Sequence, residues 1–176
     1  LRSWDADVLR RRMAVVFQDF NQYQMKLREN VGLGSVGHLD DTERVRRAAE
    51  TGGAEELLAR LPSGIETQLG RLFPEGVELS GGQWQKVALA RAFMREEADV
   101  LVLDEPTASI DAEAEQAIFA RFKDLTRGRT SILISHRFPT VRMADRIVVV
   151  TDGRISAQGT HAELLAAEGR YASLFR

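Results

Sequence analysis

Short apolar runs of about five residues alternate along the chain with longer segments whose apolar residues recur at helical spacing. The runs are "MAVVF" from Met13, "DVLVL" from Asp99, "TSILI" from Thr130 and "RIVVV" from Arg146. Runs that are apolar on both faces are typical of parallel strands inside a sheet that is covered on both sides. The pattern therefore predicts an α/β fold built from βαβ units, with "RISAQG" as an edge-like strand after the Asp152-Gly153 turn.

Two helices are predicted in the C-terminal part by the residues at their N-termini. "DAEAEQAIFARFKDL" places apolar residues on one face behind Asp111, which suits the N-cap position. In "THAE", Thr160 and Glu163 have the spacing of a capping box. The last helix is therefore expected to begin there.

Residues 21–94 carry helical patterns and no convincing strand, unlike the segments before and after them. "DDTERVRRAAE" and "AEELLARL" are the clearest helical stretches, and Pro62 stops the second. We therefore expect an α/β core made of residues 1–20 and 95–176, into which residues 21–94 are inserted as a helical subdomain.

Composition removes several classes of function. The 176 residues have a formal net charge of -2 with 28% charged residues, so no strong field of one sign favours nucleic acid or anionic lipid. Cysteine is absent, which excludes disulfides and thiolate metal sites. The apolar runs are far shorter than the roughly 18 residues that a membrane helix needs, so we do not expect this polypeptide itself to cross a membrane.

Polar side chains follow three of the predicted strands. "MAVVF" is followed by Gln18, "DVLVL" by Asp104 and Glu105, and "TSILI" by Ser135 and His136. Ligands of open α/β sheets bind beyond the carboxyl ends of the strands. Paired carboxylates there suit a Mg²⁺ site, in which one holds the ion and its neighbour orients or deprotonates an attacking water. An acidic pair or a histidine alone is more often a solvated loop residue, but convergence on one sheet edge favours a site.

"SGGQ", residues 80–83, stands at the entrance of a predicted helix and has two interpretations. Ser80 and Gln83 fit a capping box, which is a structural role that needs no ligand. That role does not explain Gly81 and Gly82, because any residue serves at the two middle positions. Glycines there let backbone N–H groups approach an anion, which the helix dipole also favours. We therefore expect a phosphate at this helix end.

Together these motifs resemble those of the ATP-binding cassette (ABC) family. "LSGGQ" is similar to its signature motif, "VLVLDE" to its Walker B strand, "SID" at 109–111 to its D-loop, Gln18 to its Q-loop glutamine and His136 to its switch histidine. The resemblance covers essentially the whole chain and implies a P-loop NTPase-like ABC ATPase core with a mainly parallel sheet and an inserted helical subdomain that bears the signature. "RLPSGIETQLG" and "GTHAELLAAEGRYASLFR" are similar to cassettes of exporter type.

The resemblance also implies roles for these residues in an intact cassette that uses ATP and Mg²⁺. Asp104 would hold Mg²⁺, Gln18 would sense the ion and relay to the membrane domain, Glu105 would act as general base, and His136 would contact the γ-phosphate and orient the attacking water. Ser80, Gly81, Gly82 and Gln83 would bind the phosphate of an ATP held by a second cassette, and Asp111 would tie the two cassettes together.

The phosphate-binding loop that the family places upstream does not occur in this sequence. No G-x-x-x-x-G-K-[ST] pattern is found in the 176 residues. We therefore expect Leu1 to be a truncation point, and the chain to be the C-terminal part of a cassette that lacks the N-terminal strands and the Walker A segment and is inactive alone. The intact protein is expected at the cytoplasmic face of the plasma membrane, with a second identical or related cassette, a membrane domain fused upstream, and no nucleic-acid partner.

Two other functions remain as alternatives. A soluble ABC-type ATPase that acts on nucleic acid or ribosomes is disfavoured by the mild acidity, the absence of a long coiled-coil pattern and the exporter-like tail. A non-enzymatic scaffold descended from a cassette is disfavoured because Glu105 and His136 are both present.

Overall fold

The computed structural model describes residues 3–106, 122, 126, 128–135 and 137–174. The chain divides into two compact units, Leu1–Ile132 and Leu133–Arg176. Of the helix predicted from Asp111, only Phe122 is described as helical, and its side chain is buried. Asp111 itself lies outside the described residues, so its role as an N-cap stays a prediction.

The first unit has strands near its two ends and helices between them. In chain order the elements are α1 (Ala6–Arg11), β1 (Met13–Val16), α2 (Leu27–Gly32), a 3₁₀ segment (Leu33–His38), α3 (Thr42–Thr51), α4 (Glu55–Arg60), a 3₁₀ turn (Gly64–Glu66), α5 (Gly81–Phe93), β2 (Val100–Asp104) and β3 (Thr130–Ile134), whose last two residues belong to the second unit. Residues 21–94 are all described, and their β pairing is limited to the isolated bridges Lys26–Gln68 and Leu69–Val77. The helices predicted from "DDTERVRRAAE" and "AEELLARL" are confirmed as α3 and α4.

The sheet of this unit has the order β1-β2-β3, and β1 runs parallel to β2 with Val16 opposite Leu103. Every second residue of the β1–β2 pair is buried, namely Ala14, Val16, Leu101 and Leu103. The residues between them are half-buried. The predicted parallel pairing is confirmed here, and its register brings the carboxyl ends of β1 and β2 level with each other.

β3 is less covered than its apolar sequence predicts. Ile132 and Ile134 are each 50% exposed, whereas a strand covered on both faces would hide both side chains. An apolar sequence makes burial of both faces of a strand favourable, but burial also requires other elements to pack against those faces. The prediction of double coverage is therefore wrong for β3 in this chain.

Helix α5 lies at the centre of the first unit and packs against α2, α3 and β1. Its buried side chains are Trp84, Gln85, Val87, Ala88, Leu89, Ala90, Ala92 and Phe93. The packing is close enough to require glycine on its neighbours. A methyl group on Gly34 would overlap the carbonyl oxygen of Arg91, and one on Gly52 would lie 2.7 Å from the Ala90 nitrogen.

Arg44 of α3 closes the C-terminal end of α5. Its Nε and Nη2 atoms donate hydrogen bonds of 3.0 and 2.7 Å to the carbonyl oxygen of Met94, the residue that follows the helix. Nη2 also lies 2.9 Å from a carboxylate oxygen of Glu97, and hydrogen bonding to Arg44 holds the pKa of Glu97 below its usual range. A cation at this position satisfies a helix-end carbonyl and complements the helix dipole.

The second unit contains α6 (Phe138–Val141), β4 (Ile147–Thr151), β5 (Arg154–Gly159), α7 (His161–Ala166) and α8 (Arg170–Leu174). Ile147, Leu164 and Tyr171 form its buried core. The capping box of Thr160 and Glu163 begins α7 as predicted, but α7 is not the last helix, because the separate helix α8 follows it.

β4 pairs with β5 in an antiparallel hairpin. Asp152 and Gly153 make its turn with φ of 51° and 72°, as their sequence predicts for a two-residue hairpin loop. Within the described residues β5 is the strand that pairs with β4. The apolar run at β4 is therefore not a parallel strand here, because the Asp-Gly turn reverses the chain at once.

Across the described residues, no helix is both long enough and apolar enough to span a bilayer.

An ion pair extends the β1–β2 ladder by one residue. Arg12 precedes β1 and donates a side-chain hydrogen bond to Asp99, which precedes β2, while the Asp99 backbone nitrogen donates to the Arg12 carbonyl at 2.9 Å. The hydrogen bond from Arg12, together with its charge, lowers the pKa of Asp99 in the folded chain.

Asp99 is therefore predicted to contribute to the acid sensitivity of folding. A folded-state pKa below the unfolded value gives a stabilisation that is present above the unfolded pKa of about 4 and is lost as pH falls through the folded pKa. We expect the free energy of unfolding of the wild-type chain, measured with urea between pH 6 and pH 3, to fall more steeply than that of Asp99→Asn. Parallel pH curves for the two proteins would contradict this.

Candidate functional site

Three of the predicted site residues share one edge of the sheet. Asp104 is the last residue of β2 and is half-buried, and Glu105 follows it directly. Val16 lies opposite Leu103, and Gln18 and Glu105 each lie two residues beyond this last pair, so both follow the same ends of β1 and β2; Gln18 is exposed. The parallel register thus brings a carboxylate pair and an amide to the edge where open α/β sheets bind ligands.

Glu105 has an unusual backbone conformation. Its φ is 45°, in the left-handed region that residues with a side chain seldom adopt. It lies between the strand residue Asp104 and the buried Pro106. Glycine would take this conformation at lower cost, and backbone strain of this kind is found most often at functional sites.

The donor atoms at this edge suit Mg²⁺. The ion prefers oxygen ligands, keeps several waters, and is held in many phosphate-transfer sites by one or two protein oxygens together with substrate phosphates. Asp104 and Gln18 offer a carboxylate and an amide oxygen of this kind. In the described part of the chain, no group of three or more His, Asp or Glu side chains forms a complete metal cage.

The N-terminus of α5 has the geometry predicted from "SGGQ". The Ser80 hydroxyl accepts a hydrogen bond of 3.3 Å from the Gln83 nitrogen, and the Ser80 nitrogen donates one of 2.8 Å to the Gln83 side chain. Gly81 and Gly82 form the first turn of the helix and do not have positive φ. Backbone conformation therefore does not require glycine at either position.

The missing side chains at Gly81 and Gly82 leave this helix end open. Ser80 and Gly81 are exposed and Gly82 is half-buried, while the helix from Trp84 onward is largely buried. The first N–H groups of a helix have no partner within the helix, and they carry its positive dipole end. An anion such as phosphate could approach these N–H groups closely at this end of α5.

Two buried polar atoms lie just beyond this turn. Trp84 and Gln85 are 3% and 2% exposed, and neither the Trp84 Nε1 atom nor the Gln85 Oε1 atom has a hydrogen-bond partner among the described residues. Most buried polar atoms have a hydrogen-bond partner, so these two atoms stand out among the described residues of α5.

Two predicted site residues cannot be placed. His136 and Asp111 both lie outside the described residues, and their roles stay predictions. Ser135, which follows β3, accepts a hydrogen bond of 3.0 Å from the Arg137 nitrogen, so the chain turns directly after this strand.

Sequence reasoning missed Arg91 on α5 and Asn30 on α2, which the structure joins. The Arg91 Nε and Nη2 atoms donate to the carbonyl and side-chain oxygens of Asn30 at 3.0 and 3.2 Å. A signal was present, because Arg91 interrupts the apolar stretch "VALARAF" in a helix that is otherwise buried.

Comparison with known proteins identifies the family. The sequence profile of the ABC transporter family matches residues 1–108. The chain is 42% identical over 165 residues to the subtilin transport ATP-binding protein SpaT of Bacillus subtilis, which covers 94% of this chain and 27% of that protein. It is 44% identical over 168 residues to the ATP-dependent lipid A-core flippase of Nitrosococcus oceani, covering 96% of this chain and 27% of that protein.

A solved structure shares the fold. A bacterial Atm1-family ABC exporter with ATP bound superimposes on 94% of this chain with a TM-score of 0.84 and 33% sequence identity. The match covers 28% of the exporter chain. This chain therefore spans little more than a quarter of the length of the proteins it matches.

Proposed function

The chain belongs to the ABC transporter family, and we propose that it forms part of the ATP-hydrolysing cassette of a membrane exporter. The position and backbone conformation of Glu105 support this proposal most directly. Its carboxylate follows β2 in a conformation that costs free energy, at the same sheet edge as Asp104 and Gln18. The exporter assignment is supported by the fold shared with the Atm1-family exporter.

The sheet edge is proposed to carry the hydrolytic chemistry. Asp104 and Gln18 would hold Mg²⁺, which when bound neutralises developing charge on the phosphates. The Glu105 carboxylate would accept a proton from the water that attacks the γ-phosphate. His136 would contact the same phosphate and orient that water, as its likeness to the switch histidine suggests.

The open end of α5 is proposed to serve an ATP held by a second cassette. Ser80, Gly81, Gly82 and Gln83 would contact its γ-phosphate with hydroxyl, amide and backbone N–H groups. Asp111 would contact the partner cassette. The exposed first turn and the buried remainder of α5 support this arrangement, because they leave the N–H groups accessible on a firmly held helix.

The organisation of the whole protein follows from the same proposal. Residues 1–20 and 95–176 would belong to the ATPase core, and residues 21–94 to the signature-bearing helical subdomain. The partner would be an identical or related cassette, and a membrane domain would place both cassettes at the cytoplasmic face of the plasma membrane. These 176 residues alone would not hydrolyse ATP, because they contain no Walker A pattern to hold the triphosphate.

The alternatives are less well supported. A soluble ABC-type ATPase that acts on nucleic acid or ribosomes finds no support in the exporter fold match or in the net charge of -2. A scaffold without activity would have no use for a strained glutamate at the end of β2.

Glu105→Gln in the full-length transporter tests the catalytic base. The change keeps the size of the side chain but removes its proton acceptor, so kcat for ATP should fall by roughly 10²-fold or more while ATP still binds. Steady-state ATP hydrolysis and nucleotide binding are measured beside Glu56→Gln, which makes the same change on the exposed surface of α4. A Glu105→Gln rate within about twofold of wild type would exclude Glu105 as the base.

Gly82→Asp tests the role of α5 toward a second cassette. A carboxylate in the first turn repels the phosphate expected there, so hydrolysis and ATP-dependent pairing of cassettes should be impaired while each cassette still binds ATP. Gly37→Asp is the matched control, because Gly37 is exposed and has open space around its Cα. Loss of ATP affinity with normal pairing would show that the contact is not made across the dimer.

A further inference from the structure

A half-buried arginine on α5, Arg91, holds the loop that follows Gln18. Arg91 Nη1 and Nη2 donate hydrogen bonds of 3.3 and 3.2 Å to the carbonyl oxygen of Asn21, and its guanidinium carbon lies 4.8 Å from the centre of the Tyr23 ring. Burial lowers the pKa of this guanidinium. Its described partners are neutral oxygens and an aromatic ring, so a partly buried cation is held here without a carboxylate among them.

Asn30 completes the same network from α2. Its side chain is fully buried, and Nδ2 donates to the carbonyl oxygens of Tyr23 at 2.8 Å, Met25 at 3.2 Å and Lys26 at 3.3 Å. Its side-chain oxygen accepts from Arg91. The segment between β1 and α2 contains no helix or strand, so these side chains satisfy carbonyl groups that regular structure does not.

The same loop contacts the segment that leads to Ser80. The Leu72 nitrogen donates a 2.7 Å hydrogen bond to the Gln24 side chain, and the Leu69 nitrogen donates to the Met25 carbonyl at 3.1 Å. The loop after Gln18 is therefore attached on two sides. It is bound to the last turn of α5 through Arg91 and to the segment preceding the start of α5 through Gln24.

We propose that Arg91, Asn30 and Tyr23 are positioning residues that fix the Gln18 loop to the signature helix, so that Gln18 and the open end of α5 keep a defined separation. The helix between Gly82 and Arg91 is a rigid link of about 13 Å at 1.5 Å rise per residue. The proposal rests on the proposed function, because it requires Gln18 to act at the hydrolytic edge.

A planar guanidinium suits this role and an ammonium does not. The Arg91 guanidinium donates to two oxygens of Asn30 and one of Asn21, and it lies over the Tyr23 ring. Its planar group makes all of these contacts from one position. Lysine would keep the charge but offers a compact ammonium that cannot reproduce the fork and the stacking together. Arg91→Lys should therefore release the loop without removing the positive charge.

The first test is hydrogen exchange in the full-length transporter without nucleotide. Arg91→Lys should raise amide exchange in peptides covering residues 20–26 by about tenfold, while peptides from β2 exchange as in wild type. Arg44→Lys is the matched control, because Arg44 is an arginine of the same unit that binds a carbonyl beside α5, and its hydrogen bonds go to Met94 and Glu97 and not to the loop. Unchanged exchange in residues 20–26 would overturn the proposal.

The second test is a double-mutant cycle on turnover. Arg91→Lys should lower kcat by about tenfold, with the KM for ATP within about twofold of wild type. In a protein that already carries Gln18→Asn, adding Arg91→Lys should lower kcat by less than about twofold further. Arg44→Lys should have the same fractional effect in both backgrounds. Equal effects of Arg91→Lys in both backgrounds would show a general loss of stability instead of positioning.

Substitutions of Tyr23 can be measured in the same two experiments, and they leave the side chain of Arg91 unchanged. Tyr23→Leu removes the ring beside the guanidinium and should act as Arg91→Lys does, whereas Tyr23→Phe keeps the ring and should leave exchange and kcat near wild type. This pair decides the matter if Arg91→Lys does not fold. Full activity of Glu105→Gln would contradict the proposed function itself, whereas additivity in the cycle contradicts only the positioning role.

Discussion

The structure of the first unit depends on the way α5 is held along its length and left open at one end. Gly34 and Gly52 let neighbouring backbone approach the helix, and apolar side chains bury most of it. Arginines then bind carbonyl groups around it. Arg44 binds the carbonyl of Met94, and Arg95 donates hydrogen bonds of 2.9 Å to the carbonyls of Gly34 and Met13. Hydrogen bonds from charged groups are stronger than neutral ones, so these contacts hold the helix firmly while its first turn stays accessible.

This arrangement relates two regions that are far apart in the sequence. Met13, whose carbonyl accepts a hydrogen bond from Arg95, is the first residue of β1, the strand that leads to Gln18. Gln18 and Glu105 each lie two residues beyond the last pair of the β1–β2 ladder. The position of α5 is thus coupled through side-chain contacts to the edge that carries the carboxylates. The positive φ of Glu105 lies at the sheet edge that is proposed to carry the hydrolytic chemistry. The polar atoms of Trp84 and Gln85, which have no partner among the described residues, lie beside the end of α5 that is proposed to bind a phosphate. Departures from the most stable arrangement are common at functional sites.

Features with a local cause were predicted from the sequence, and features that depend on distant contacts were not. The capping box at Ser80, the Asp152-Gly153 hairpin and the strand that ends at Asp104 follow from neighbouring residues, and the structure confirms each. Coverage of β3 could not be predicted, because it depends on which elements pack against the strand. The contacts of Arg91 join α5 to residues about 60 or 70 positions away, a distance at which periodicity carries no information. The left-handed φ of Glu105 was also missed, since glutamate gives no local signal for it.

We propose that these residues supply the hydrolytic edge and the signature helix of a cassette, and that the loop that holds ATP is not among them. Calorimetric titration of the 176-residue chain with Mg²⁺–ATP tests it most directly, with light scattering to establish the state of association. We expect no binding at micromolar concentrations, because the 176 residues contain no Walker A loop and lysine to bind the triphosphate. Micromolar binding by a clean monomer would contradict it.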